Sequence, residues 1–145
     1  MKYYFDTTAL VKIYHREIGS DQVIGIYNGE DNITISELGA IEFISTIYRK
    51  HREHEIDIDT LMAVISKFQE DMDTRYEVVK FFSLVMEEAW NLICNYAPQH
   101  SLRTLDSLQF AFFKVYCDPI DTFVCADKNL IKLVNLAGFT VLAPQ

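Results

Sequence analysis

Glycine and proline are scarce in this chain, five and three among 145 residues. All-β sandwiches use more of both in their turns, so that class is disfavoured. Cysteine is equally sparse: Cys94, Cys117 and Cys125 are odd in number, far apart and form no Cys-x-x-Cys pair. They do not read as a disulfide framework and are expected to be reduced thiols of a cytoplasmic protein. No apolar run approaches the roughly 20 residues that cross a bilayer. The N-terminus runs straight into a strand-like segment, so neither a membrane span nor a signal peptide is expected. Basic residues are also in deficit: 13 Lys and Arg against 21 Asp and Glu give a formal charge of −8. That balance argues against a broad nucleic-acid-binding surface unless the acids gather around a cation and the bases cluster.

What remains is a chain half apolar, long enough to bury a core without staples and expected to form one domain over residues 1–145. Lys2 to Phe5 reads as a strand. Thr7 or Thr8 then begins a helix that ends near Gly19, and Ser20 caps a second. Ile33 to Ile35 alternates like a strand, and Ser36 precedes a long helix from Glu37 to about Arg52. In that helix Ile41, Ile44 and Tyr48 read as the apolar stripe. Asp57 or Asp59 caps the next helix. Tyr76 to Phe82 reads as a strand, followed by a helix from Leu84 to Tyr96 and another beginning at Ser101. Asp121 to Cys125 is a strand, Lys128 to Leu136 a helix, and Phe139 to Leu142 a last short strand. Strands separated by helical segments imply an α/β fold with a mostly parallel sheet covered on both faces.

The helix "SLRTLDSLQFAFFKVY" puts Leu102, Phe110 and Phe113 within roughly 40° of Asp106, at about 100° per residue. An acid in an apolar stripe needs a partner or a metal, because a buried lone charge costs several kcal/mol. Arg103 is one available partner. Asp6 and Asp127 each stand just past a strand-like run. Either could simply cap the helix that follows. In an open parallel sheet, however, residues just past the strands' carboxyl ends converge on one crevice. Glu42, in "SELGAIEFISTIY", is a fourth candidate, with Glu37 as its rival in the first turn of the same helix. Four acids converging without basic partners would repel one another, and a divalent cation relieves that cost. Oxygen donors without His or thiolate suit Mg²⁺ or Mn²⁺ rather than zinc, and such ions serve phosphodiester hydrolysis.

The segments "YYFDTTALVKIYHREIGS", "SELGAIEFISTIYRK", "LRTLDSLQFA" and "FVCADKNLIKLVNLAGF" resemble, in order and spacing, the successive motifs of PIN-domain ribonucleases. The likeness is to the VapC-like toxins of toxin–antitoxin pairs and spans nearly the whole chain. The resemblance implies a three-layer α/β/α fold around a short, mostly parallel sheet. It also implies a Mg²⁺- or Mn²⁺-dependent endoribonuclease that acts on RNA, is neutralised by a cognate antitoxin and forms a homodimer. Motif by motif it carries the catalytic and metal-binding acids onto Asp6, Glu42, Asp106 and Asp127, and so selects Glu42 over Glu37. Thr8 matches the hydroxyl residue two positions after the first Asp. Three positions depart from the pattern: Cys125 where Thr is common, Gln109 where His is frequent, and Asn129 where some relatives carry another acid.

The bases do cluster. Arg49, Lys50, His51 and Arg52 end the helix bearing Glu42, with His54 beyond, while Lys12, His15 and Arg16 follow Asp6. They can complement a helix C-terminus or contact RNA. A different class of function, a catalytically weak PIN module acting as an RNA- or protein-binding adaptor, is the alternative reading. A phospho-accepting receiver domain is excluded by layout, since Asp6 stands alone where that fold needs paired acids.

Overall fold

The computed structural model describes residues 1–145. Five strands form one sheet: β1 (Lys2–Phe5), β2 (Asn32–Ser36), β3 (Tyr76–Val79), β4 (Thr122–Val124) and β5 (Thr140–Leu142). Their spatial order is β3-β2-β1-β4-β5 and every pairing is parallel. Tyr3 of β1 lies opposite both Ile33 and Thr122, which makes β1 the central strand. The chain leaves β1 toward one edge and returns on its other side, so the loops after β1 and β4 part at the carboxyl end of the sheet.

Seven helices cover the two faces. One face carries α1 (Thr7–Tyr14), α2 (Ser20–Asn28), α3 (Glu37–Arg52) and α4 (Ile58–Thr74). The other carries α5 (Ser83–Tyr96), α6 (Thr104–Tyr116) and α7 (Lys128–Leu136). Alternation along the strands assigns each side chain to a layer. Phe5, Ile33, Ile35 and Val124 pack with Leu10, Phe43 and Phe68 on the first face. Tyr4, Phe123 and Cys125 pack with Phe110, Phe113 and Val134 on the second. The architecture is the three-layer α/β/α arrangement with a parallel sheet.

Several boundaries differ from the expected ones, each for a physical reason. The third strand stops at Val79 rather than Phe82. Ser36↔Val79 is the last pair before β2 turns into α3, and β3 is an edge strand, so nothing remains to pair with. The Phe81 amide instead donates to Glu37 Oε1 at 2.8 Å. The sixth helix begins at Thr104, not Ser101, because the Ser101 carbonyl that a helix would use is taken by the Asn129 side chain. The first helix ends at Tyr14, and Gly19, with φ +90°, starts the second. A Cβ on Gly19 would lie 2.7 Å from the Pro144 backbone, so glycine is needed there for both space and conformation. In α3 the buried face is Gly39, Ala40, Phe43 and Ile47. The expected stripe is displaced from it: Ile41 is 70% exposed and Tyr48 44%.

Candidate metal centre

Asp6 is the last residue before α1 and is the N-cap of that helix. Its Oδ1 accepts from the Ala9 amide at 3.0 Å and from the Thr8 hydroxyl at 2.6 Å. Asp127 has the same geometry at α7, where its Oδ1 accepts from the Leu130 amide at 2.9 Å. Capping and ligation had been alternatives for both residues. A carboxylate has two oxygens, and here Oδ1 of each satisfies the helix and leaves Oδ2 for other partners.

Asp6 is 4% exposed. Burial pushes its carboxyl up to about 6, against hydrogen bonds from Thr8, Cys125 and the Ala9 amide that favour the charged form. The charge on Asp127 adds a smaller push in the same upward direction. A carboxylate held in that condition gains from a nearby cation.

Glu42 comes in from α3. Its Oε1 accepts from Gln109 Nε2 at 2.8 Å and from the Thr7 hydroxyl at 3.0 Å. Gln109, only 3% exposed on α6, also takes the buried Tyr4 hydroxyl on its own oxygen at 2.7 Å. One hydrogen-bonded chain therefore runs from the centre of β1 to Glu42. Glu37 is engaged with Phe81 and stands outside this group.

Asp106 lies in the first turn of α6. Phe110 and Phe113, on its side of the helix, are fully packed, while its own side chain at the open end of the helix keeps 15% of its surface. Asp106 is not without a basic partner. Arg103 Nε donates to its Oδ2 at 3.0 Å, and Arg103 Nη2 lies 3.6 Å from Asp127 Oδ2. Glu42, Asp106 and Arg103, with Thr104 and Leu105, line one cavity of about 250 Å³. The guanidinium, 73% exposed at its side chain, thus bridges two of the four acids. As they stand, no three acids are close enough together to hold an ion.

The donor set nevertheless fits a hard divalent cation. All four acids supply oxygen, Asp6 and Glu42 each keep one oxygen free of N–H and O–H donors, and the one cation among them sits on an exposed, movable side chain.

The remaining expected residues fall around this group. Thr8 is a hub: it donates to Asp6 and accepts from the Ala126 amide at 2.9 Å, tying the loop after β4 to α1. Cys125 is buried beneath it, its thiol pushed upward chiefly by burial, and it accepts from the Asp127 amide at 3.3 Å. Asn129 turns to the Ser101 carbonyl and works as a tether between α7 and the segment before α6. Sequence reasoning passed over Thr7, whose only signal was its place beside Asp6. A helical projection offers Arg103 as a partner of Asp106 but does not show that it also reaches Asp127.

Comparison with known proteins bears on the family and the fold. Ribonuclease VapC45 of Mycobacterium tuberculosis is 26% identical over 142 residues, covering 98% of this chain and 95% of the relative. Among solved structures, VapC20 of Mycobacterium tuberculosis, a sarcin-ricin loop cleaving toxin, superposes with a TM-score of 0.70. Its sequence identity is 13%, with 98% of this chain and 99% of that one covered. A toxin–antitoxin complex from Klebsiella pneumoniae gives a TM-score of 0.62 at 16% identity, covering 99% and 98% of the two chains. At those identities the structural matches speak for the fold alone. The family model for the PIN domain matches residues 3–134, and the chain belongs to the PIN domain family.

Proposed function

We infer that this protein is an endoribonuclease that hydrolyses RNA phosphodiester bonds with Mg²⁺ or Mn²⁺, and that it is the toxin of a toxin–antitoxin pair. What supports the reading is PIN-family membership with ribonucleases among the relatives, together with Glu42 and Asp106 on one cavity and Asp127 joined to Asp106 through Arg103. Asp6, Glu42, Asp106 and Asp127 would hold the ion. When bound, it would supply Lewis acidity toward water and the phosphate oxygens.

The chain's own groups do the rest. Gln109 and Thr7 fix Glu42 through its Oε1 and leave Oε2 without a hydrogen-bond partner. Thr8 holds Asp6 in one orientation while the helix amide holds the same oxygen. Asp6, its carboxyl raised to about 6 by burial, is still ionised at neutral pH, the form a cation ligand needs. Arg103, freed from the acids when an ion takes their charge, is placed to meet a phosphate oxygen.

Structural neighbours in toxin–antitoxin complexes support an antitoxin protein as partner, and a homodimer belongs to the same reading. A cytoplasmic location with three free thiols belongs to the same reading. No helix is long and apolar enough to cross a membrane.

The test is direct. Wild type, Asp6→Asn and Asp106→Asn are incubated with total RNA, with and without Mg²⁺. Cleavage is expected from the wild type only, and only with the ion. Equal behaviour of all three proteins would remove the nuclease assignment and favour a binding module.

A further inference from the structure

A second cavity, about 230 Å³, lies beside two of the acids, linked to them through hydrogen bonds of Thr7 and Thr8. Thr7 and Thr8, which hold Glu42 and Asp6 on one side, line it on the other together with Thr46, Lys12, Arg49 and Lys50. We propose that this cleft is a phosphate subsite, taking a backbone phosphate of the RNA strand that neighbours the scissile bond. It rests on the nuclease reading of the crevice and adds the path of the substrate.

Three observations point there. The first is the distribution of charge. In a chain of net charge −8, three of the thirteen cations line this one cleft, against a single acid, Glu17. Glu17 is already neutralised by Lys12, whose ammonium sits 3.2 Å away and also donates to the Ile18 carbonyl at 2.7 Å.

The second is availability. Lys50 is paired with Glu55 at 3.0 Å, and Arg16 outside the cleft with Asp21. Arg49 is exposed and pairs with no carboxylate, and the Thr46 hydroxyl at its side makes no hydrogen bond within the protein. A guanidinium fork and a free hydroxyl on one wall are the donors a phosphodiester uses.

The third is alignment. Glu42, Thr46, Arg49 and Lys50 are spaced i, i+4, i+7 and i+8 on α3, so they share one helical face. That face leads from the candidate ligand Glu42 to the free base Arg49 over about 10 Å of helix axis. A strand whose phosphate is cut at the acids would carry its next phosphates along this line. The other bases of the sequence cluster are separated from it: His51 contacts the Ile56 carbonyl, and neither Arg52 nor His54 lines the cleft.

The experiment reads binding rather than cleavage. In an Asp106→Asn background, fluorescence anisotropy of a labelled single-stranded RNA is followed over a salt series. Adding Arg49→Ala is expected to weaken binding several-fold, and to flatten the slope of log affinity against log salt by about 0.7, the loss of one phosphate contact. Arg49→Lys should recover most of the slope, and Arg52→Ala should leave affinity and slope as they were. Unchanged affinity and slope in Arg49→Ala overturn the subsite, as does a starting protein that binds no RNA. If wild type with Mg²⁺ cuts no RNA while Arg49→Ala still flattens the slope, the subsite stands and the nuclease reading falls.

Discussion

Gln109 on α6 donates to Glu42 on α3 at 2.8 Å, and through its own oxygen accepts the hydroxyl of Tyr4 from the middle of the sheet. The candidate ligand with the longest side chain is thus tied to the most rigid part of the fold. Gln109→Met fills a similar volume and removes every one of these bonds. It leaves the fully buried Tyr4 hydroxyl unpaired, at a cost of about 1–3 kcal/mol. Urea unfolding should show that loss, and cleavage per folded molecule should fall because Glu42 becomes free to rotate. A Gln109→Met protein as stable as wild type would count against the buried chain.

Asp6 sets a pH dependence in the metal-free protein. Its carboxyl is raised from 3.8 to about 6, so the folded state holds the proton more tightly than the unfolded chain. Its contribution to stability is therefore best below about pH 4, declines as pH rises toward 6, and stays low above that. The difference is on the order of 3 kcal/mol. Asparagine keeps an oxygen for the helix cap but carries no charge. Asp6→Asn without metal should melt higher than wild type at neutral pH and alike in acid, while losing affinity for Mn²⁺. Wild type melting higher at neutral pH would contradict the assigned burial cost.

Arg103 competes with any cation for Asp106 and Asp127. Removing it should make Mn²⁺ bind more tightly, as read by calorimetry, and should slow RNA cleavage if the guanidinium serves the phosphate once displaced. Opposite signs for the two measurements are the signature. Weaker Mn²⁺ binding in Arg103→Ala would mean that the arginine organises the acids rather than occupying their place.

Asp71 provides a contrast away from the crevice. It is 1% exposed on α4 and accepts from Tyr14 at 2.5 Å and Tyr27 at 2.9 Å, with Lys67 at 3.0 Å. Asp71→Ala removes the acceptor shared by the half-buried Tyr14 and Tyr27 hydroxyls and should cost about 1–3 kcal/mol. Cleavage per folded molecule should be unchanged, since no residue of this cluster lines the crevice. A specific loss of activity in a protein that remains folded would show that the two regions are coupled.

The expected elements and the α/β class came from local signals: β-branched alternation at Ile33 to Ile35, caps at Ser36 and Asp57, and the crossover logic of alternating strands and helices. Boundaries strayed where a neighbour distant in sequence decides them. Val79 ends its strand because β2 has become a helix, and Thr104 starts its helix because Asn129 has taken the Ser101 carbonyl. The stripe on α3 was misplaced because Ile41 and Ala40 are both apolar, and periodicity alone does not say which of two adjacent apolar rows meets the sheet.

By itself, then, the sequence determined which residues could carry charge past the ends of strands, because strand period, helix caps and motif spacing are local properties. Which oxygen of Asp6 and Asp127 is used by the helix and which is left over depended on the tertiary structure. So did the bridging of Asp106 and Asp127 by Arg103, and the separation of Arg49 and Lys50 from His51, Arg52 and His54. Each of these is a relation between elements brought together only when the sheet closes its crevice, and no spacing along the chain encodes the direction in which a side chain finally points.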